Sequence, residues 1–444
     1  MRLRAFAPAF ALLLAGCVEP PVGSGAGPAA EGALEALAFL EPVVVDAERI
    51  ASEPSVKVGA DGTIFVAAPT GVIKYATRPL DAVQHVDKGI FQGAIWRSAD
   101  GGASFEHLAG LGPSPYHTAQ PGGGDSDIAI DSAGRVYVTD QFGFFTESVQ
   151  WSDDNGDTWH AARLPASGPP PVDRQWMWPD PDAAGHVYMV HNGDRGIWVT
   201  ETRDGGDTWS GRVVTEFSTA PGPLVALPGG FVAFSYFDDA SGDVVTVRTT
   251  DGGKTWIESA VVEGAELNDF FPGTFADAAG TLYVSWVELD GDVTRVAYVV
   301  SLDRGETWSA PRVAAEAPGY ATFAWGVAGA PGRIAFTWYA APDPEKEWHL
   351  EAVVLLGADG DAPAPYRTRI STTAVRTGPP CQDGSFCRSG RELGDFQSVA
   401  VTPDGDLVAT YVTVLSAEEG GRVTFARQSL GPRLYDEPPA LWVV

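Results

Sequence analysis

One eight-residue pattern returns five times along the chain, and it constrains the fold more than any other feature. It reads Ser98-Ala-Asp-Gly-Gly-Ala-Ser-Phe105, Ser152-Asp-Asp-Asn-Gly-Asp-Thr-Trp159, Thr202-Arg-Asp-Gly-Gly-Asp-Thr-Trp209, Thr249-Thr-Asp-Gly-Gly-Lys-Thr-Trp256 and Ser301-Leu-Asp-Arg-Gly-Glu-Thr-Trp308. The aspartates Asp100, Asp154, Asp204, Asp251 and Asp303 are 54, 50, 47 and 52 residues apart. A period of this length marks one supersecondary unit repeated to build a continuous core. Each copy sits between two short apolar runs, which predicts strand, tight turn, strand. The residue types suit that turn. Asp accepts hydrogen bonds from turn amides, the Gly two positions on tolerates φ > 0, and Ser or Thr adds a local bond. The closing Trp offers a large apolar face to a neighbouring unit.

A second marker gives the number of units. It is an apolar strand after a Gly- or Asp-containing turn: Thr63-Ile-Phe-Val-Ala, Arg135-Val-Tyr-Val-Thr, His186-Val-Tyr-Met-Val, Phe231-Val-Ala-Phe-Ser, Thr281-Leu-Tyr-Val-Ser, Arg333-Ile-Ala-Phe-Thr and Asp406-Leu-Val-Ala-Thr. Seven units predict an all-β, seven-bladed β-propeller of four-stranded antiparallel blades, closed by a terminal strand such as Pro42 to Asp46 or Leu441 to Val444. With 52 Gly and 34 Pro in 444 residues a helical bundle is excluded, and 44% apolar residues exclude a mainly disordered chain. The five repeats are similar to the Asp boxes, or BNR repeats, of sialidases and related β-propellers, a resemblance that covers about residues 50 to 430. Sialidases have six blades, so six is the alternative count. The resemblance implies that the five box aspartates are structural and lie on blade peripheries, away from any active site. A calcium role is not expected, since the boxes lack the twelve-residue ligand series of an EF-hand. No cofactor and no metal are expected.

The N-terminus reads as an address. Arg2 and Arg4 precede the apolar run Ala5 to Leu14, too short to span a bilayer but of signal-peptide length. Leu14-Ala15-Gly16-Cys17 resembles the lipobox of bacterial lipoproteins, which implies lipidation of Cys17. The expected organisation is residues 1–17 as signal, 18–41 as a Pro/Gly/Ala-rich tether and 42–444 as one propeller. The expected location is the bacterial cell envelope, with membrane contact only through the lipid. Cys381 and Cys387, with no further Cys or His beside them, predict a disulfide rather than a zinc site. A formal charge of −29 argues against a nucleic-acid partner.

In each unit the strand before the marker is expected to be innermost, lining a central channel. The residues entering these strands are polar and aromatic: Ser52-Glu53-Pro54, Gly124-Asp125-Ser126-Asp127, Asp173-Arg174-Gln175-Trp176, Asn268-Asp269-Phe270-Phe271 and Gly394-Asp395-Phe396. A closed ring would gather Asp125, Asp127, Asp173, Arg174, Asp269 and Asp395 at one mouth, with Trp176 and Phe270 nearby. Carboxylates that take hydroxyl hydrogen bonds and rings that stack on sugar faces suit a carbohydrate. The same acids can instead cap strand ends while the rings pack between blades.

A sialidase needs three arginines, a Tyr nucleophile with its Glu, and an Asp acid/base. The family's Phe/Tyr-Arg-Ile-Pro motif is represented here only by Glu48-Arg49-Ile50-Ala51. Arg174, Arg195 and Arg391 are candidate arginines, and Tyr236 or Tyr339 a candidate nucleophile, but no motif fixes their roles. Nucleophile-elbow, phosphate-loop and zinc-helix motifs are missing. The reading is therefore a surface module that binds a glycan or a protein, with a sialidase-like exoglycosidase as the alternative. An assembly factor working through a broad blade face is a third possibility. Replacing Cys17 with Ser should abolish fatty-acid labelling and release the protein from membranes; label retained on the variant would refute the lipobox.

Overall fold

The computed structural model describes residues 36–439, apart from 71–92, 109–124, 143–145, 164–165, 167–170, 217–218, 268–270, 291–292, 318, 383–386, 388 and 417–419. Its strands form seven antiparallel sheets, so the fold is a seven-bladed β-propeller rather than a six-bladed one. Every marker run falls on the second strand of a blade, from Ile64–Pro69 in the first to Leu407–Ser416 in the seventh. These strands are buried on both faces because each blade is packed between two others, which explains their continuous apolar character.

The inner strands are Ser55–Val58, Ser126–Ile130, Asp173–Pro179, Val225–Leu227, Gly273–Ala276, Tyr320–Ala328 and Ser398–Val401. Each meets the next around the axis, and the seventh meets the first, where the Val56 amide donates to Ser398 Oγ at 3.2 Å. The chain's beginning completes its last blade. Val43–Val44 pairs with Thr424 and Phe425 on the strand Gly420–Leu430, and Ala38–Phe39 pairs further along the same strand. Ala38–Phe39 falls within the segment expected as tether. The other candidate for closure, Leu441 to Val444, lies outside the described residues.

The five repeats fold as turns between the third and fourth strands, with one hydrogen-bond pattern. In the third, Thr208 donates to Asp204 from its amide (2.9 Å) and its hydroxyl (2.6 Å). Thr202 Oγ1 donates to Asp204 at 2.9 Å and accepts the Gly206 amide at 2.9 Å. The same four bonds recur around Asp100, Asp154, Asp251 and Asp303. With donors converging on them, Asp100, Asp154 and Asp303 have their pKa values lowered to about 2.

Each turn leans on the preceding blade. A Cβ on Gly102 (φ +93°) would lie 2.0 Å from the Phe425 ring of blade seven, so only glycine allows that approach. Trp209 packs beside Tyr137 and Trp151 of blade two, and its Nε1 donates to Gly206 O at 3.2 Å. The repeat is thus both a turn and an inter-blade contact. Trp209→Ala should lower stability by about 3–5 kcal/mol, the usual loss for a buried aromatic. Calorimetry tests this directly, and an unchanged melting temperature would remove the packing role.

Candidate functional site

Chain direction sorts the loops onto two faces. The turns after the inner strands and the five repeat turns share one face; the entries to the inner strands share the other. At these entries Glu53, Arg174 and Phe323 take φ values of 50°, 59° and 55°, unusual for residues with a Cβ. All three lie five residues before the last inner-strand pair of their blades, at Val58↔Ile64, Pro179↔Val187 and Ala328↔Ile334. The left-handed residue is therefore a repeated device of the entry, and in blades one and three it carries a charge into the mouth.

Arg174 is the hub. Its Nη1 bonds Asp125 Oδ2 at 3.1 Å and approaches Glu53 Oε1 at 3.8 Å; its Nη2 bonds Asp395, and its Nε lies 3.6 Å from Asp173 Oδ2. Arg391 adds a second guanidinium, bonded to Asp395 and 3.3 Å from Glu53 Oε1. The Asp395 amide donates to Glu53 Oε1 at 2.9 Å. Gln141 holds Asp173 from the side, donating at 2.8 Å. Four carboxylates from blades one, two, three and the seventh thus surround two guanidiniums. The positive charge at the centre of these acids is supplied by the protein itself.

Burial sets the protonation. It pushes Asp125 up to about 7 against the pull of Arg174, and it raises Asp173 as well. Glu147, fully buried nearby, is driven well above the ordinary carboxylate range by burial and then by repulsion from Asp173, Asp125 and Asp140. Asp140 is pushed up to about 7 by burial, although it accepts the Gly93 amide at 3.0 Å. For Arg174, burial opposes the charge, but Asp125, Asp173 and Glu53 outweigh it and raise the pKa.

Below the charges lies an aromatic floor. The Arg174 guanidinium sits 5.3 Å from the centroid of Phe271. Trp176 contacts Phe271, Trp325 and Phe396 with centroids 5.8, 5.1 and 4.8 Å away, closing the channel with rings from four blades. Trp176 Nε1 donates to Pro221 O at 2.8 Å.

The structure therefore brings Asp125, Asp173, Arg174 and Asp395 together, and it corrects two expectations. Trp176 is not a ring at the entrance but part of the buried floor. Asp127 lies a layer deeper, its oxygens taken by Ser55 Oγ at 2.6 Å and the Met177 amide at 2.7 Å. Both lie two residues further along an inner strand than the mouth residue of their blade, and that step carries them down the channel. Asp269 and Phe270 lie outside the described residues, as does Cys17. Cys381 and Cys387 are joined, with Cα atoms 5.9 Å apart, in the insertion that leads to Arg391.

Asp140 and Glu147 are groups beside the mouth that the sequence reading did not name, while Glu53, named only as an entry residue, and Arg391, named only as a candidate arginine, belong to the charged cluster. Glu53 carried a readable signal, its equivalence in register to Arg174. Of the sialidase-type candidates, Arg49 is held by Asp46 at 2.6 Å, Tyr236 OH donates to Glu258, and Tyr339 OH accepts the Val412 amide. Arg195 is exposed on a hairpin of blade three.

No protein-family model and no curated protein sequence matches this chain. Solved structures match it at the level of fold. A protein of unknown function from Dyadobacter fermentans is 14% identical, with 90% of this chain and all of that one covered and a TM-score of 0.51. An ulvan lyase, a polysaccharide lyase, is 11% identical, with 89% and 94% covered and a TM-score of 0.53. A sialidase from Streptococcus pneumoniae is 12% identical, with 88% and 70% covered and a TM-score of 0.45. These likenesses show the propeller and nothing finer.

The pKa shifts predict a stability optimum. Asp125 and Asp140 release their protons near pH 7 when folded but near pH 4 when unfolded, so stability should fall as pH rises between these values. The repeat aspartates act in the opposite sense: their contribution is present above about pH 4 and lost as pH falls toward 2. The melting temperature should peak at about pH 4–5, and Asp140→Asn should flatten the decline above it. An equally steep decline in the variant would show that Asp140 is not held protonated.

Proposed function

We propose that the mouth around Arg174 is a glycan-binding site and that the protein is a carbohydrate-recognition module of the cell envelope. One observation carries this reading: groups from four blades converge as paired hydrogen-bond donors and acceptors at the open end of a closed ring. Asp173 is the most accessible of the four acids, its side chain 26% exposed, and it is positioned to take hydroxyl hydrogen bonds. The fold's likeness to a polysaccharide lyase supports a carbohydrate ligand. That lyase has been seen with -[GlcA(1-4)Rha3S]- bound, an acidic and sulfated chain. Four carboxylates against two guanidiniums, on a chain of formal charge −29, repel such a ligand. A neutral glycan is the better match. Export and lipid anchoring through Cys17 belong to the same proposal, supported by the Leu-Ala-Gly-Cys sequence.

A second reading, glycoside hydrolysis, rests on Asp125. A carboxyl that titrates near 7 is suited to act as a general acid. The sialidase version of that reading has little support, because Arg174 and Arg391 are already engaged by carboxylates and both candidate tyrosines are occupied elsewhere.

Glycan-array binding followed by calorimetric titration tests the proposal with neutral oligosaccharides and a sulfated uronate oligosaccharide. A neutral chain should bind and the sulfated one should not. Asp173→Asn should weaken binding by about tenfold or more, the worth of a hydrogen bond to a charged group, with the melting temperature kept. Equal affinity in wild type and variant would move the site away from the mouth. Turnover of a neutral glycoside that disappears in Asp125→Asn would replace the binder with the hydrolase.

A further inference from the structure

Beneath the aromatic floor the channel opens again, toward the face that carries the repeat turns, as a cavity of about 580 Å³. None of the mouth acids or guanidiniums lines it; its roof is the underside of Trp176, Trp325 and Phe396. The walls are apolar, from Leu224, Phe275, Val327 and Val399 among others. This volume lies within the range of small-molecule sites, and such sites combine apolar walls with a few placed polar groups.

The placed group here is Lys57, the third residue of the first inner strand. Its Nζ stands 4.9 Å from the centroid of Trp178, on the cavity wall. Among the described residues this ammonium donates no hydrogen bond and forms no ion pair. The oxygens of its charged neighbour Asp127 are already taken, by Ser55 Oγ and the Met177 amide. Arg304 at the lower end is engaged too, donating to Pro228 O at 3.1 Å and resting over the Phe231 ring. Among the described residues Lys57 is therefore the cavity cation whose ammonium makes no hydrogen bond at all, and it stands in the upper part of the chamber, whereas Arg304 lies at the exposed lower end. A lysine partly withdrawn from water without a hydrogen-bonded acceptor reduces stability, and burial lowers its pKa. Apolar residues of similar length would fill the same position without that penalty.

We infer that this lower chamber is a second binding site, separate from the mouth, for a small monocarboxylate with an apolar body of aromatic-ring or medium-chain size. The carboxylate completes the donors of Lys57, and the body lies against Leu224, Phe275 and Val327. An acid is favoured over a neutral acceptor because the Asp127 oxygens are occupied by Ser55 Oγ and the Met177 amide, leaving Lys57 among the described residues with an electrostatic neighbour but no hydrogen-bonded carboxylate.

Isothermal titration of the folded propeller with indole-3-propionate and with decanoate, each beside its methyl ester, tests the inference. At least one acid should bind at 1:1 stoichiometry, with its ester about tenfold or more weaker, the worth of a charge-assisted bond. Lys57→Met should lose acid binding by a similar factor while melting no lower than wild type. Asp173→Asn in the mouth should leave acid binding unchanged, so that failure of one site is distinguishable from failure of the other. Binding of neither acid at millimolar concentration overturns the inference, as does equal affinity for acid and ester. A Lys57→Met variant that melts several degrees lower and gives no acid-specific change would reduce Lys57 to a counter-ion for Asp127.

Discussion

The junction between blade seven and blade one closes seven sheets into a ring, and the pairing of Val43–Val44 with Thr424 and Phe425 covers the outer edge of that last blade. Without it the last blade exposes a strand edge, and only the core shared by Val56, Val408 and Phe425 and the polar contacts above it hold blade seven against blade one. At the junction the inner strands Ser398–Val401 and Ser55–Val58 meet, and the entries before them share one mouth. The mouth in turn spans this seam. Asp395 and Arg391 come from the seventh blade's entry, Glu53 from the first's, and the Asp395 amide bonds Glu53 across the junction. The charged cluster is therefore also a latch on the ring. Its paired groups are worth most while all are present, since removing one guanidinium leaves several carboxylates buried without compensation.

Periodicity explains what the sequence revealed and what it hid. Five turns with the same Asp, Gly and hydroxyl pattern, and seven marker strands, are imposed by a geometry that repeats. Their register could be read without coordinates. Asp125, Asp173, Arg174 and Asp395 were legible for the same reason, as residues at equivalent entries. Depth was not. Trp176 and Asp127 face the channel as expected, but one strand step below the mouth, and composition alone does not distinguish the layers. Arg391 was named as a candidate arginine, but its place in the mouth was not legible. It arrives from an insertion with no counterpart in the other blades, shaped locally by the bridge between Cys381 and Cys387 and by Arg376, which bonds the Gly378 and Gly390 carbonyls.

A single strand shows how the layers are built. Asp173–Pro179 carries Arg174 in the charged layer, Trp176 in the floor and Trp178 beside Lys57 in the chamber below. The floor has an electrostatic consequence. Aromatic rings under the mouth remove the solvent that a continuous channel would bring to the acids, and desolvation is the leading cause of the raised pKa of Asp125. Arg174 over Phe271 then counters the excess negative charge from within the cluster while touching the rings beneath it.

The same floor governs communication between the two ends. The chamber and the mouth share no lining residue, so a ligand in one makes no direct contact with a ligand in the other. Any coupling must run through Trp176, Trp325 and Phe396, whose rings roof the chamber and pack in the layer supporting Arg174 through Phe271. Close-packed rings do not shift by small degrees without disturbing their neighbours. Trp176 is further tied to the Pro221 carbonyl. A floor held in this way separates the sites unless a ligand is large enough to displace it. If both proposed sites bind as argued, binding at one end is therefore expected to leave the other unchanged.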